Sequence, residues 1–401
     1  MNSKPKILRI LNRFNVGGPV QNVTLLTKFL EDEYETLLIG GKSEANEESS
    51  LYVLEKYNVK PLLIEELQRS INPFQDLKAY WRVRKIIREF KPDIVHTHAS
   101  KAGAIGRLAA KHEGVQIIVH TFHGHVFHSY FGKIKSNIFQ IIERYLASFS
   151  DAIIAISDKL NKELSVDYKI AEPSKIRTIP LGFDLDLFTS DLDVKRKNYR
   201  TKWKVKEDEI LVGIVGRLVP VKNHALLIDA AKIIQAKTTK KVRYILVGDG
   251  ESRAEIEAKI KENQFTYTYK TAGNGKEDFI LTSWEQNTPE VYAGVDIVCL
   301  SSFNEGTPVS LIEAQAAGKP IVSTRVGGIE NVVLENKSAL LTEIDVNEYA
   351  EALLKLIEDE DFRKAMQGAG REFSLSKFHY NRLAADLKKL YKELLISAKA
   401  L

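Results

Sequence analysis

The sequence predicts an α/β protein made of two Rossmann-like domains, and three observations carry that prediction. Short apolar runs alternate with helical patterns from end to end, as in parallel sheets joined by crossover helices. The length, 401 residues, suits two domains of ordinary size, each able to bury its own core. A polar, poorly periodic stretch, FDLDLFTSDLDVKRKNYR, divides two such alternating series and reads as the linker region.

In the first series, apolar runs predict strands near 6–12, 36–40, 93–97, 116–121, 152–156 and 176–180. Helical patterns fall near 20–30, 74–90, 102–112, 136–149 and 157–165. In the second series, strands are expected near 209–215, 242–247, 279–282, 295–300, 320–324 and 338–341. Helices intervene near 223–236, 251–262, 308–317 and 346–369. The domains are therefore expected at 1–185 and 186–375, and a last helix at 376–401 has no strand after it and could pack back across the hinge.

Composition narrows the class. With 44% hydrophobic and 28% charged residues the chain reads as soluble and globular. No apolar run approaches the ~18 residues of a membrane span, and MNSKPKILRILNRF lacks a signal-peptide core. The single cysteine, Cys299, excludes disulfides and cysteine metal sites within the chain. A cytoplasmic location is the expectation. The net charge is uneven: +6 over residues 1–180 (26 basic, 20 acidic) and −1 over the rest (32 basic, 33 acidic). No nucleic-acid motif accompanies the basic residues, so nucleic acid is not an expected partner. An acidic membrane surface or a phosphorylated substrate is.

Residues 299–320, CLSSFNEGTPVSLIEAQAAGKP, are the richest stretch. A strand runs into a polar elbow and then a helix, with Thr307 expected as N-cap, Pro308 as first helical residue and Gly318 with Pro320 as the stop. Glu305 falls in the elbow and Glu313 about two turns along the helix. A helix N-terminus opening from a strand end is an anion site, and carboxylates beside it can hold sugar or ribose hydroxyls. Taken alone, Glu313 could equally be a solvated surface residue.

Other turns follow strands. LNRFNVGGPVQNV places Gly17 and Gly18 where backbone amides can approach a phosphate, or where a plain tight turn is needed. VGIVGRLVPVKNH puts Arg217 and Lys222 just past a strand end as phosphate-binding cations or ordinary surface ones. YILVGDGESR carries Gly248, Asp249 and Gly250 in a further strand-to-helix turn. Seven of nine histidines lie between 96 and 128. The pairs His96/His98 and His123/His125 have zinc-like spacing, but no carboxylate or cysteine cluster joins them. Strand-end histidines lining a cleft fit better, and several could be purely structural. Asp184/Asp186 and Asp191/Asp193 match a metal-binding D-x-D by letters only, and both read as surface acids.

Together these motifs resemble the family-4 retaining glycosyltransferases, over nearly the whole chain. The most specific part is Glu305 to Glu313 within NEGTPVSLIEAQAAGKPIVSTRVGGIEN; GRLVPVKN, LVGDG, IPLGFD, VHTHASKAGAIGR and the N-terminal Gly-Gly occur in the family's order. The resemblance implies a GT-B fold, two Rossmann-like domains facing a central cleft, with the acceptor on the N-terminal domain and a nucleotide sugar on the C-terminal one. It assigns Arg217 and Lys222 to the diphosphate, Glu305 to the donor sugar and Glu313 to the ribose, with Gly248, Gly306 and Thr307 among the nucleotide-sugar contacts. Gly17 and Gly18 match the loop closing over phosphate and acceptor. His123 matches the histidine near the reacting sugar, and His98 is a second acceptor-side candidate. It further implies transfer with retention, attack from the leaving-group face, and no metal or other cofactor.

The expected donor is a UDP-hexose or UDP-N-acetylhexosamine, and the expected acceptor a saccharide or lipid-linked saccharide of a surface polysaccharide. AYWRVRKIIREF and SYFGKIKSNIFQIIERYLASF mix cations with apolar positions at helical spacing, as in helices lying on anionic lipid, or simply as in any amphipathic α/β helix. Peripheral attachment to the inner face of the membrane follows as an expectation. A nucleotide-sugar 2-epimerase and a non-catalytic nucleotide-sugar sensor are the competing readings. The Gly17-Gly18 loop and VHTHASKAGAIGR favour a transferase over the first, and the complete set of Arg217, Lys222, Glu305 and Glu313 disfavours the second.

Overall fold

A computed structural model of the chain describes residues 4–15, 17–43, 49–68, 70, 72–124 and 133–400. The chain divides into two compact units, Met1–Asp184 with Phe378–Leu401, and Leu185–Lys377.

The first unit runs β1 (Lys6–Arg13), α1 (Gly18–Phe29), β2 (Glu35–Gly41), α2 (Leu51–Lys56), β3 (Leu62–Leu63), α3 (Pro73–Phe90), β4 (Ile94–His98), α4 (Ser100–His112), β5 (Ile117–Phe122), α5 (Lys133–Ser148), β6 (Ala152–Ala155), α6 (Asp158–Lys162) and β7 (Ile176–Thr178). Its strands are all parallel, in the order β3-β2-β1-β4-β5-β6-β7. The second unit runs α7 (Leu192–Lys202), β8 (Ile210–Val215), α8 (His224–Lys237), β9 (Val242–Val247), α9 (Arg253–Glu262), β10 (Tyr267–Tyr269), β11 (Phe279–Ser283), α10 (Thr288–Gly294), β12 (Ile297–Leu300), α11 (Val309–Ala316), β13 (Ile321–Thr324), β14 (Ala339–Thr342), α12 (Val346–Glu358) and α13 (Glu360–Phe378). Its sheet, also parallel, is ordered β10-β11-β9-β8-β12-β13-β14. The chain then returns to the first unit as α14 (Tyr380–Lys399).

The two sheets share one plan. Six strands of the second, β11-β9-β8-β12-β13-β14, repeat the order of β3-β2-β1-β4-β5-β6, while β7 and β10 extend opposite edges. In each sheet the winding direction reverses between the first strand and its later neighbour, β1 against β4 and β8 against β12. The carboxyl ends of those strands are where an open α/β sheet leaves a crevice for ligands.

Local sequence explains the elements. β4 and β5 are buried along their whole length, as strands covered on both faces must be. Alternation along β1 sends Leu8 and Ile10 toward Val83 and Ile87 of α3 and Ala102 and Ile105 of α4. The opposite face of β1 carries Ile7 against Leu26 of α1 and Leu383, Leu387 and Tyr391 of α14. Asn72 caps α3 by accepting from the amides of Phe74 and Gln75, with Pro73 at the first position.

Several sequence expectations need correction. The stretch expected as a linker is ordered: Asp186–Phe188 forms a 3-10 turn and α7 follows. α7 buries only Tyr199 and Arg200, too narrow a stripe to register as amphipathic. Arg200 nonetheless donates to Asp296 at 3.1 Å and to the carbonyl of Glu209 at 2.7 Å. The helix expected over 346–369 is two helices, because Asp359 is extended and its carboxylate caps the second at Phe362 N, 2.8 Å away. β3, β10, α2 and α10 were not anticipated; all are two to seven residues long, below the length at which periodicity speaks. Asp184 is no surface acid, since it accepts from the Tyr57 hydroxyl at 2.5 Å.

Candidate active site

In the second unit the loop after β8 carries Gly216 and Arg217, makes one 3-10 turn at Pro220–Lys222, and enters α8 through Asn223 in the left-handed conformation. Two bonds fasten it to the loop after β12: Phe303 N donates to Val221 O at 2.8 Å, and Ser301 Oγ donates to Lys222 O at 2.9 Å. That fastening brings Lys222 Nζ within 2.5 Å of Glu305 Oε1, and Ser302 Oγ donates to the same oxygen at 2.6 Å. The pair is mostly buried, with 18% and 10% of the Lys222 and Glu305 side chains exposed, so the charge-assisted bond is little screened. Arg217 is exposed, and its guanidinium has no hydrogen bond or ion pair among the described residues.

The elbow itself is built from backbone. Thr307 is not the N-cap: Pro308 is still extended at ψ 99°, so it takes the cap position and α11 begins at Val309. Glu313 is therefore the fifth residue of the helix, nearer one turn in than two. The stop is as expected, with Gly318 at φ +69° and bonds from Gly318 N to Gln315 O and from Lys319 N to Ala314 O, both 2.8 Å. Gly306 is exposed, and a Cβ there would meet nothing within 4 Å. Glu313 is partly buried, and that burial raises its carboxyl to about 7 although the Tyr292 hydroxyl pulls the other way.

Gly248 answers to the fold as well. At φ +137°, a Cβ there would sit 2.0 Å from Gly216 O, so only glycine lets the β9 loop pass the β8 loop. The adjacent Asp249 is pushed up by burial, but bonds from Ser283 Oγ (2.8 Å), Gly250 N (2.9 Å) and the Tyr269 hydroxyl (2.9 Å) outweigh it and hold the carboxyl below its usual range.

In the first unit, Gly17 follows β1 and precedes α1, which begins at Gly18 with Pro19 in its first turn. Gly17 is extended, and a Cβ there would meet nothing closer than Pro19 Cδ at 3.7 Å. Local packing thus gives no reason for a glycine. His98 ends β4 and is fully buried, while His123 lies just past β5 and is partly exposed. Their rings face each other with His98 Nδ1 3.0 Å from His123 Nε2. Burial holds both well below an ordinary imidazole, His123 at about 4. The zinc-like pair His96/His98 is occupied otherwise, since His96 is bonded to Thr121, Tyr391 and Arg9. Among the described residues no group of three or more His, Cys, Asp or Glu is arranged to hold a metal, and His125 lies outside the described residues.

Two glycines were missed by sequence reasoning. Gly327, at φ +57°, and Gly328 pass so close to the elbow that a Cβ on either would lie 1.9 Å from the carbonyl oxygen of Glu305 or Gly306. Gly328 N donates to Glu305 O at 2.9 Å, and Thr324 Oγ1 donates to Ser302 O at 2.7 Å. The sequence carries a signal for them: STRVGG repeats the pattern of an apolar strand followed by paired glycines that also marks Gly17.

Comparison with known proteins bears on this arrangement. A family model described as "Glycosyltransferase Family 4" matches residues 16–187, and one described as "Glycosyl transferases group 1" matches 195–373. The chain is 29% identical over 345 residues to an Escherichia coli UDP-Gal:alpha-D-GlcNAc-diphosphoundecaprenol alpha-1,3-galactosyltransferase, covering 85% of each chain. It is 25% identical to the Staphylococcus aureus capsular polysaccharide biosynthesis glycosyltransferase CapM, over 85% of this chain and 87% of that one. Among solved structures, Anabaena HepE in complex with UDP superposes with a TM-score of 0.79 at 19% identity, over 97% of this chain and all (100%) of that one.

Proposed function

The chain belongs to the family-4 glycosyltransferases of GT-B fold, and from that premise we propose that it moves a hexose or N-acetylhexosamine from a UDP-sugar to a saccharide or lipid-linked acceptor. The transfer retains anomeric configuration, uses no metal ion, and serves synthesis of a cell-surface polysaccharide. One observation carries the reading: at the reversal point of the second sheet, Lys222 and Glu305 meet at 2.5 Å, and Arg217, in the same loop as Lys222, has no hydrogen bond or ion pair among the described residues. A cation pair and a carboxylate at strand ends suit a diphosphate with a sugar attached. The E. coli relative's name supplies the chemistry of the comparison, a UDP-sugar donor and a diphosphoundecaprenol-linked acceptor.

In this reading Arg217 and Lys222 take the diphosphate, Glu305 faces the donor sugar, Glu313 holds the ribose hydroxyls, and Gly248, Gly306 and Thr307 line the donor. Gly17 and Gly18 present amides to phosphate and acceptor, and His123 stands near the reacting sugar. The acceptor hydroxyl attacks the anomeric carbon from the face the diphosphate leaves. One C–O bond forms, the C–O bond to the diphosphate breaks, and the hydroxyl's proton passes to the departing phosphate oxygen. The protein's part is electrostatic, so Glu305 need not be a nucleophile; a trapped glycosyl–Glu305 adduct would overturn that point.

The decisive experiment incubates the protein with UDP- and GDP-sugars, with and without a diphosphate-lipid-linked GlcNAc acceptor. Acceptor-dependent release of UDP, persisting in EDTA, with the product anomer matching the donor, is expected. Release of a 2-epimer without acceptor would make the protein an isomerase, and silence with every pairing would refute transfer.

Attachment to an anionic membrane, and hence a place on the inner face, is part of the same reading. α4 packs against both α3 and α5. α3 exposes Phe74, Leu77 and Trp81, and α5 exposes Ile138, Ile141, Ile142 and Tyr145, each set at helical spacing. Cations stand among them, Arg84 over Trp81 at 4.7 Å and Lys111 over Tyr145 at 5.2 Å. No helix among the described residues is long and apolar enough to cross a membrane. Sedimentation with anionic vesicles at physiological salt is expected, and a protein left in the supernatant would refute it.

A further inference from the structure

The first unit contains a buried polar array. Arg9, in the middle of β1, is fully buried, and its Nε and Nη2 have no hydrogen-bond partner among the described residues. Its Nη1 lies 3.2 Å from His96 Nδ1. A guanidinium can only donate, so His96 Nδ1 must accept. The His96 proton is therefore on Nε2, where it faces Thr121 Oγ1 at 2.7 Å, while the Tyr391 hydroxyl of α14 also points at Nδ1 from 2.6 Å. Burial, reinforced by the Arg9 charge, keeps His96 neutral.

His98, two residues on along the same face of β4, stacks on His96 with ring centres 4.3 Å apart. It meets His123 through the 3.0 Å contact of Nδ1 with Nε2. Both rings are neutral, so one must donate across that contact. The outer atoms, His98 Nε2 and His123 Nδ1, are buried and unpartnered among the described residues. One of them carries an N–H and the other a lone pair. A buried orphan N–H is the more costly of the two. It is better placed on His123, whose side chain is partly exposed, than on the fully buried His98.

We propose that His98 is a positioning residue: its Nδ1–H donates to His123 Nε2, fixing the ring plane of His123 and the tautomer that offers Nδ1–H to a sugar oxygen. His96 and Arg9 hold His98 in turn, and Tyr391 ties the array to α14. His123 then acts as a hydrogen-bond donor and not as a base. The inference rests on the glycosyl-transfer reading only in supplying the sugar oxygen, and its first test needs no substrate.

Nitrogen NMR of 15N-histidine-labelled protein assigns the tautomers directly. His123 protonated at Nδ1 is expected, and protonation at Nε2 would overturn the proposal. In His98→Leu, His123 should change tautomer and kcat should fall about 10- to 100-fold with donor KM little changed. His98→Asn, whose amide can donate from nearly the same point, should restore the wild-type spectrum and most of the rate. Equal spectra in His98→Leu and His98→Asn would also overturn it. Should His98→Leu fail to fold, Arg9→Met supplies the second arm. The groups facing the pair are Arg9 from β1, His96 from β4, His120 from β5 and Tyr391 from α14. Removing the Arg9 charge should move the histidine titrations to higher pH, and an unmoved titration would count against the array. If the spectra behave as expected while no donor is ever turned over, the transfer reading fails and the positioning stands.

Discussion

The two units share a strand plan and place their candidate residues at the same ends, yet they treat charge in opposite ways. In the second unit Lys222, Glu305 and Arg217 are charged groups, two of them clasped by backbone bonds from neighbouring loops. In the first, His96, His98, His120 and His123 are all pushed below the ordinary imidazole range by burial, beside one arginine without a carboxylate among the described residues. A shared fold therefore fixes where chemistry can happen but not which chemistry. One half gathers cations beside a mostly buried carboxylate, and the other sets neutral imidazoles beside a buried guanidinium.

The largest effect should come from breaking the charged half. Arg217→Ala removes a guanidinium that makes no hydrogen bond or ion pair among the described residues, so kcat/KM should fall about 10²- to 10³-fold while stability stays within about 0.5 kcal/mol. Lys222→Ala should lose as much activity but also about 1–3 kcal/mol of stability, because it leaves Glu305 mostly buried without its cation. Steady-state rates and thermal melts separate the two. An Arg217→Ala enzyme with near-normal turnover would dissolve the contrast between the units.

A second contrast concerns glycine. Gly327→Ala puts a side chain at φ +57° and into the carbonyl of Glu305, so a loss of about 2–3 kcal/mol is expected together with displaced Glu305 and lost activity. Gly17→Ala meets no such obstacle and should leave stability within about 0.5 kcal/mol, while weakening binding if its amide meets a ligand. Melting curves that fall equally for both would show that the N-terminal glycine is structural after all.

The regular elements were legible because burial on both faces writes continuous apolar runs, and twelve of the fourteen strands among the described residues can be located that way. What escaped was short or lay in contacts between distant segments. β3 and β10 are edge strands of two and three residues, and α7 buries only two side chains. Arg217, Lys222, Glu305 and Glu313 stood out as charges set after apolar strands, a local pattern. The approach of Gly327 to Glu305, 22 residues away, and of Arg9 to His96, 87 away, leaves no local pattern at all. Thr307 misled because capping preference was weighed without the ψ of the following proline, which stays extended and delays the helix by one residue.

The smallest effect would sharpen the comparison from within the charged half, where burial displaces Glu313 as it does the histidines. Its carboxyl titrates near 7 in the folded chain against 4.5 for an ordinary glutamate. An acid whose folded value is raised weakens the fold: nothing is lost below pH 4.5, the penalty grows as pH rises, and it is complete above about 7. Because Glu313 is only partly buried, that penalty is discounted to about 1–2 kcal/mol. Glu313→Gln should therefore melt higher than wild type at pH 8 and nearly equal to it at pH 5. With Glu313 at the ribose hydroxyls as proposed, donor KM should rise about tenfold when a neutral amide replaces the carboxylate, and its pH dependence between about 6 and 8 should vanish. His123, at about 4, titrates too low to supply that dependence. A KM profile unchanged in Glu313→Gln would show that the limb near neutrality belongs to some other group, and that the charged half does not owe its pH response to Glu313.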